Sequence, residues 1–105
     1  MKKLFVILAL VALQGCSWVE LEPAAEQVRV VEAQHVEGCK RLGKTTVSVK
    51  STVAGVERKE ETMQEELEVL ARNHAVDLKG DTIVATTEIE DGTRVYDVYR
   101  CKQTD

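Results

Sequence analysis

The N-terminal hydrophobic run predicts an export signal. Residues 4–13 are all apolar and follow two basic residues, Lys2 and Lys3. A transmembrane helix needs about 20 apolar residues to cross a bilayer, so a run of this length is too short to stay there as a span. A short basic segment followed by a short apolar segment is instead typical of a signal peptide that is removed after export. We therefore expect residues 1–15 to be absent from the mature protein.

Later in the chain the hydrophobic spacing becomes that of strands. Residues 28–31 are a short β-branched run. From Arg41 the pattern alternates as a half-buried strand requires, with Thr45, Val47 and Val49 on one side and Thr46, Ser48 and Lys50 on the other. Residues 16–27 contain Pro23 and show no sustained period. We expect them to be a linker that reaches at most about 40 Å, at about 3.3 to 3.6 Å per residue. The folded domain is then expected over residues 28–105.

A helix over residues 59–79 is the clearest predicted element. Its core-facing stripe recurs at spacings of three and four and consists of Met63, Leu67, Leu70, Ala71, His74 and Leu78. Acidic residues near its start and Lys79 near its end suit the helix dipole. Gly80 is expected at the C′ position that commonly ends a helix.

The segments after the helix predict a β-hairpin. Residues 82–87 and 94–101 are strand-like, and Asp91-Gly92 is a hairpin turn signal between them. In the second strand both alternating faces contain a polar residue, so the pattern leaves its core face open. The predicted fold class is α+β: a small β-β-α-β-β domain with one helix on one face of an antiparallel-rich sheet.

The tetrapeptide Leu13-Gln14-Gly15-Cys16 resembles the lipobox of bacterial lipoproteins. The resemblance implies cleavage between Gly15 and Cys16, a diacylglyceryl group on the Cys16 thiol and acylation of its amine. Several acyl chains anchor a protein stably to a membrane. Ser17 is not the Asp that retains such proteins at the inner membrane, so we expect the periplasmic face of the outer membrane. The alternative is an ordinary secretory signal followed by an unmodified Cys16.

Cys39 and Cys101 remain if Cys16 carries lipid. In an exported protein two cysteines predict one disulfide. In the chain-entropy treatment, closing a loop of this length stabilises the folded protein by about 4 kcal/mol. The alternative is a redox or metal pair, but neither cysteine has a C-x-x-C partner. We therefore expect a structural bridge between the start of the second strand and the end of the last one.

Composition narrows the classes of function. The 105 residues are 44% hydrophobic and 30% charged, which is ordinary for one small globular domain. The formal net charge is −4, and loss of Lys2 and Lys3 with the signal makes the remainder more acidic. Binding to nucleic acid needs clustered Lys and Arg, so no nucleic-acid partner is expected.

Candidate catalytic and metal-binding residues each have a simpler interpretation. His74 is interpreted as a packed residue on the helix stripe. His35 and Cys39 have a spacing that binds metal on a helix, but Gly38 argues against a helix there. A carboxylate cluster could act in acid–base catalysis or bind Ca²⁺, yet it lies off the stripe, where charge keeps a helix soluble; it comprises Glu60, Glu61, Glu65, Glu66 and Glu68. No phosphate loop or zinc spacing is present. We expect no enzyme, no cofactor and no metal site.

Several motifs in this order resemble a known family: Gly15-Cys16-Ser17-Trp18-Val19, Gly38-Cys39-Lys40-Arg41-Leu42-Gly43, Gly80-Asp81-Thr82-Ile83-Val84 and Tyr99-Arg100-Cys101. They resemble the YjeI-like group of small uncharacterised Gram-negative lipoproteins and, more distantly, the sensor lipoprotein of the Rcs envelope-stress system. The resemblance implies a fold and a location but no catalytic residue. We expect a non-enzymatic periplasmic module, either an interaction module or an envelope-stress-related one, whose partner is an envelope protein. The alternative is a lipoprotein that binds metal or a small ligand.

Overall fold

The computed structural model describes residues 20–102, which form one α-helix, a four-stranded sheet and a separate hairpin. The strands are β1 (Arg29–Val30), β2 (Lys40–Ser48), β3 (Thr52–Val53), β4 (Val56–Glu57), β5 (Thr82–Ala85) and β6 (Thr93–Arg100). The helix α1 is Glu60–Asp77, and 3₁₀ turns lie at Pro23–Gln27 and Ala33–Val36. The predicted signal peptide, Gly15 and the predicted lipidation residue Cys16 lie outside the described residues. Within residues 20–102 no helix is both long and apolar enough to cross a bilayer.

The strand order β1-β5-β6-β2 makes this an α+β fold, as predicted. β6 lies between β5 and β2 and is antiparallel to both, with Ile83 opposite Val98 and Thr45 opposite Tyr96. β1 pairs with β5 in parallel. The predicted order of the main elements, β-β-α-β-β, is confirmed.

The core lies between α1 and one face of this sheet. The helix contributes a row at every fourth residue, Met63, Leu67, Ala71 and Ala75, all of which are buried. The sheet contributes Val47, Ile83, Tyr96 and Val98. The core face of the last strand, which the sequence pattern left open, is therefore the one that carries Tyr96 and Val98.

The opposite face of the sheet is partly covered by the chain that connects β1 to β2. These strands are at opposite edges, so residues 31–39 must pass β5 and β6. Thr82 and Val84 alternate with Ile83 and point away from α1, yet both are buried. Val36 is also buried without belonging to the main core cluster. This burial indicates that the connection packs over the outer side of β5.

The hairpin β3–β4 was not predicted from the sequence. Its turn residues Ala54 and Gly55 have φ values of 54° and 79°, which is left-handed backbone. Val53 and Val56 pair with each other and are exposed, so no alternation between buried and exposed positions marks the strands. The predicted turn at Asp91-Gly92 is confirmed, since both residues have positive φ and Glu90 and Thr93 exchange two backbone hydrogen bonds across it.

The prediction that Gly80 occupies the C′ position of the helix is wrong. Lys79 has the left-handed φ of 63°, and the backbone N–H groups of Lys79 and Gly80 donate to the carbonyls of Val76 and Ala75. This is a Schellman motif with Lys79 at C′. Gly80 is needed for another reason: a Cβ there would collide with the side chain of Val98.

The folded region begins earlier than residue 28. The 3₁₀ turn Pro23–Gln27 packs against α1 and fully buries Ala25. Asn73 on the helix accepts from the backbone N–H of Glu22 at 2.8 Å and donates to the carbonyl of Glu20 at 2.9 Å. A turn of this length has no detectable hydrophobic period, so the sequence pattern suggested a linker instead.

The predicted disulfide between Cys39 and Cys101 is confirmed, with 4.5 Å between the two Cα atoms. Cys39 directly precedes β2 and Cys101 directly follows β6. The bond therefore joins the adjacent ends of two antiparallel neighbours. It also fixes the end of the long β1–β2 connection.

Removal of this bond is expected to destabilise the domain. The double variant Cys39→Ser/Cys101→Ser should lower the free energy of unfolding by about 2 to 5 kcal/mol, because the unfolded chain regains the freedom of a long loop. Urea unfolding followed by circular dichroism measures the difference. Wild-type protein under reducing conditions is the control and should behave like the double variant; equal stability of the oxidised protein and the variant would contradict the prediction.

Candidate functional site

A cleft of about 620 Å³ opens beside the first half of α1, at the end of the sheet where β1 stops. Ligand sites in proteins commonly measure about 300 to 1,000 Å³. Gln64 and Glu68 line the cleft from the helix, Arg94 and Tyr96 from β6, and residues 30–34 from the chain that leaves β1. The cleft therefore joins polar groups from three separate parts of the chain.

Regular geometry places these side chains together. Gln64 and Glu68 are four residues apart on α1 and so lie on one face of the helix. Arg94 and Tyr96 are two residues apart on β6 and so lie on one face of the sheet. β1 pairs only with Thr82 and Ile83. The next two residues of β5, Val84 and Ala85, consequently border the cleft.

Tyr96 has a buried hydroxyl whose proton has no hydrogen-bond acceptor. The residue is 1% exposed, and its oxygen is one of two buried side-chain polar atoms without a partner among residues 20–102, the other being Nε of Arg72. Burial raises the pKa of Tyr96 above its ordinary value; the charge of Arg94 and hydrogen bonding from its side chain oppose this rise, and the charge of Glu68 adds to it. The phenol therefore stays protonated at neutral pH and can donate a hydrogen bond.

Charges of both signs surround this hydroxyl. The guanidinium of Arg94 lies over the Tyr96 ring, 5.8 Å from its centroid, and Arg94 Nε donates to the carbonyl of Thr87 at 2.8 Å. On the helix side Gln64 Nε2 donates to a carboxylate oxygen of Glu68 at 3.2 Å. The cleft thus offers a cation and a carboxylate near one protonated phenol, an arrangement suited to binding a polar molecule.

A second polar cluster lies at the other end of β6. The carboxylate of Asp81 accepts hydrogen bonds of 2.9 Å from the backbone N–H groups of Cys101 and Lys102 and from the Thr82 hydroxyl. Partial burial by itself raises the pKa of Asp81, but these hydrogen bonds and the charge of Lys102 outweigh it, so the pKa lies below its ordinary value. Asp81 thereby holds the end of β6 beside the disulfide.

Of the residues that the sequence suggested for chemistry, Glu68 lines the cleft, and the others do not converge on a site. His74 is exposed rather than packed, and its Nδ1 shares a 2.8 Å hydrogen bond with the Thr45 hydroxyl. Cys39 is bonded to Cys101 and is not a metal partner of His35. In the acidic cluster Glu66 pairs with Arg58 at 2.8 Å. Over residues 20–102 no three His, Cys, Asp or Glu residues lie close enough to hold a metal ion.

Comparison with known proteins identifies the family. A family model described as a domain of unknown function, DUF4156, matches residues 19–101. The chain belongs to the DUF4156 family. The match starts close to Leu21 and ends at Cys101, so the DUF4156 domain includes the N-terminal 3₁₀ turn, the cleft and both disulfide cysteines. No curated protein and no solved structure matches the chain.

Except for Glu68, which the sequence placed in the carboxylate cluster, the polar cleft residues of this DUF4156 domain were missed by sequence analysis. Tyr96 and Arg94 belong to an alternating strand whose core face could not be chosen. Gln64 and Glu68 lie beside the apolar stripe of the helix, where polar residues are usually solvated. These positions border an open space because β1 ends early, and no sequence pattern indicates where β1 ends.

Replacement of Tyr96 by Phe is expected to stabilise the unliganded domain. The Tyr96→Phe variant keeps the buried ring but removes an unpaired hydroxyl, so the free energy of unfolding should rise by about 1 kcal/mol. Thermal and urea unfolding measure it. Tyr99→Phe, on the opposite face of β6, is the matched control and should change stability little. A clear loss of stability in Tyr96→Phe would show that the hydroxyl has a partner in the folded protein.

Replacement of Asp81 by Asn is expected to weaken the fold in a pH-dependent manner. The Asp81→Asn variant should lose about 1 to 3 kcal/mol, because a charged acceptor of two backbone N–H groups is removed. The folded pKa lies below the unfolded value of about 3.9, so this stabilisation is complete above about pH 5 and is lost as the pH falls through the folded pKa. Urea unfolding from pH 7 to pH 3 should therefore show the two proteins converge in acid.

The control for Asp81 is Asp91→Asn in the exposed hairpin turn. Asn tolerates left-handed backbone, so the variant should keep the wild-type pH profile. A gap between wild type and Asp81→Asn that stays constant across this pH range would contradict the role assigned to the Asp81 carboxylate.

Proposed function

We propose that this DUF4156 protein is a lipoprotein anchored through acylated Cys16 to the periplasmic face of the outer membrane, where it acts as a non-enzymatic module that binds another envelope component. The observation that carries the proposal is the disulfide between Cys39 and Cys101. Structural disulfides persist in oxidising compartments such as the bacterial periplasm and are rare in the cytosol. The bond therefore supports export, which the N-terminal signal and lipobox would direct.

The early start of the fold adds a geometric argument. Packing begins near Leu21, so only residues 17–20 separate the proposed anchor from the domain. Four residues span at most about 14 Å. The domain is then held beside the lipid headgroups, and its partner must be a membrane component or must approach the membrane surface.

The finer part of the proposal concerns the subgroup. Three sequence features support a place in the YjeI-like group and a more distant likeness to the Rcs sensor lipoprotein. They are the Gly-Cys before β2, the Gly-Asp after α1 and the Cys after β6. A role connected with envelope stress follows from that likeness. The alternative of small-ligand binding is favoured by the cleft beside Tyr96, to which the acidic helix cluster contributes Glu68.

The anchor is tested by the mass and location of the native protein. We expect a mature chain that begins at Cys16 and is heavier than its amino acids by a diacylglyceryl group and an amide-linked acyl chain. Mass spectrometry of the protein from fractionated membranes measures both properties. The Cys16→Ala variant should be neither processed at this site nor acylated. A native chain that begins elsewhere, or has only its amino-acid mass, rules the anchor out.

The interaction role is tested in intact cells with location as the control. Crosslinking of the wild-type protein should recover a defined envelope partner. The Ser17→Asp variant keeps the acylated Cys16 but is expected to stay at the inner membrane, so an outer-membrane partner should no longer be captured. Failure to capture any partner across growth and envelope-stress conditions contradicts the module proposal.

A further inference from the structure

The buried hydroxyl of Tyr96 points to a ligand in the cleft. Buried polar side-chain atoms in folded proteins nearly always have a hydrogen-bond partner, and an exception needs an explanation. Tyr96 is 1% exposed, lines the cleft and has no acceptor for its hydroxyl proton among the described residues. Because its phenol is protonated, the missing partner is best supplied by a hydrogen-bond acceptor that occupies the cleft.

Arg94 specifies the charge of that acceptor. Its Nε donates to the carbonyl of Thr87, which fixes the plane of the guanidinium, and its two terminal NH2 groups can donate further hydrogen bonds to a ligand. The guanidinium also lies over the Tyr96 ring, so both donors border the same volume. A carboxylate fits such a pair because a guanidinium can bind its two oxygens in parallel.

The carboxylates of the cleft specify a second group on the ligand. Glu68 is half-buried and accepts one hydrogen bond, from Gln64, while Glu32 accepts one from Gln34 at 3.1 Å. An ionised carboxylate has acceptor sites beyond one. A second anion would be repelled here, whereas an ammonium group would be attracted.

The remaining walls suit a short aliphatic body. Val30, Val31, Ala33, Val84 and Ala85 supply the apolar lining. We propose that the cleft binds a small zwitterion of the amino-acid or short-peptide type, with its carboxylate on Arg94 and the Tyr96 hydroxyl and its ammonium on Glu68. This inference goes beyond the proposed function and does not depend on the Cys16 anchor.

Calorimetry with capped and uncapped probes tests the ligand class. The purified full chain in detergent is titrated with L-alanine, L-alanyl-L-alanine, and the same dipeptide either N-acetylated or C-amidated. We expect saturable binding of an uncapped probe, and binding at least about tenfold weaker when either charged end is blocked. Preference between L-alanine and the dipeptide distinguishes a free amino acid from a peptide.

Variants assign the binding to this cleft. Three cleft variants should each bind the uncapped probe at least about tenfold more weakly than the wild type does: Tyr96→Phe, Arg94→Gln and Glu68→Gln. Circular dichroism should show that each variant stays folded. The matched controls Tyr99→Phe, Arg41→Gln and Glu65→Gln change the same residue types elsewhere and should bind as the wild type does.

Three results overturn the inference. The first is the absence of saturable binding of any uncapped probe at millimolar concentration. The second is equal affinity for capped and uncapped dipeptides, which would exclude recognition of the two charges. The third is an equal loss of affinity for the uncapped probe in the cleft variants and in their controls. Each leaves the anchor and the crosslinking experiments unaffected, so failure here is distinguishable from failure of the proposed function.

Discussion

Packing of α1 against β2, β5 and β6 positions the rest of the domain. The buried helix row changes from large to small residues along its length, from Met63 and Leu67 to Ala71 and Ala75. Small side chains allow the helix to approach the sheet, and Gly80 continues that approach onto Val98. The cleft lies beside the other half of the helix, where Gln64 and Glu68 face Tyr96 and Arg94. The packing of α1 on the sheet thus forms the core and leaves room for the cleft beside the first half of the helix.

Both ends of β6 are held by interactions that do not depend on the core. At its start the Asp91-Gly92 turn brings the backbone of Gly92 onto Val49, and at its end Cys101 is bonded to Cys39 and hydrogen-bonded to Asp81. Arg94 and Tyr96 therefore belong to a strand with little freedom to move. A rigid strand is a suitable support for a binding site because the side chains stay where a ligand needs them.

Sequence reasoning succeeded where one pattern dominates and failed where the determining contact is distant. The helix, the main strands, the Asp91-Gly92 turn and the pairing of Cys39 with Cys101 follow from periodicity, turn chemistry and cysteine number. The turn containing Ala25 was missed because its order comes from α1, over forty positions away in the chain. Gly80 was assigned to a helix cap although its neighbour Val98 explains it. The Tyr96 cleft depends on where β1 ends, which no local pattern records.

The edges of the sheet have a consequence for copies of this domain that meet at high concentration. β1 is only two residues long, and β2, at the other edge, begins with Lys40 and Arg41, includes Lys44 and has an irregular register between Arg41 and Gly43. Short, charged or kinked edges oppose strand-to-strand joining between molecules. Many copies of this domain could therefore stand side by side without fusing into a continuous β-structure.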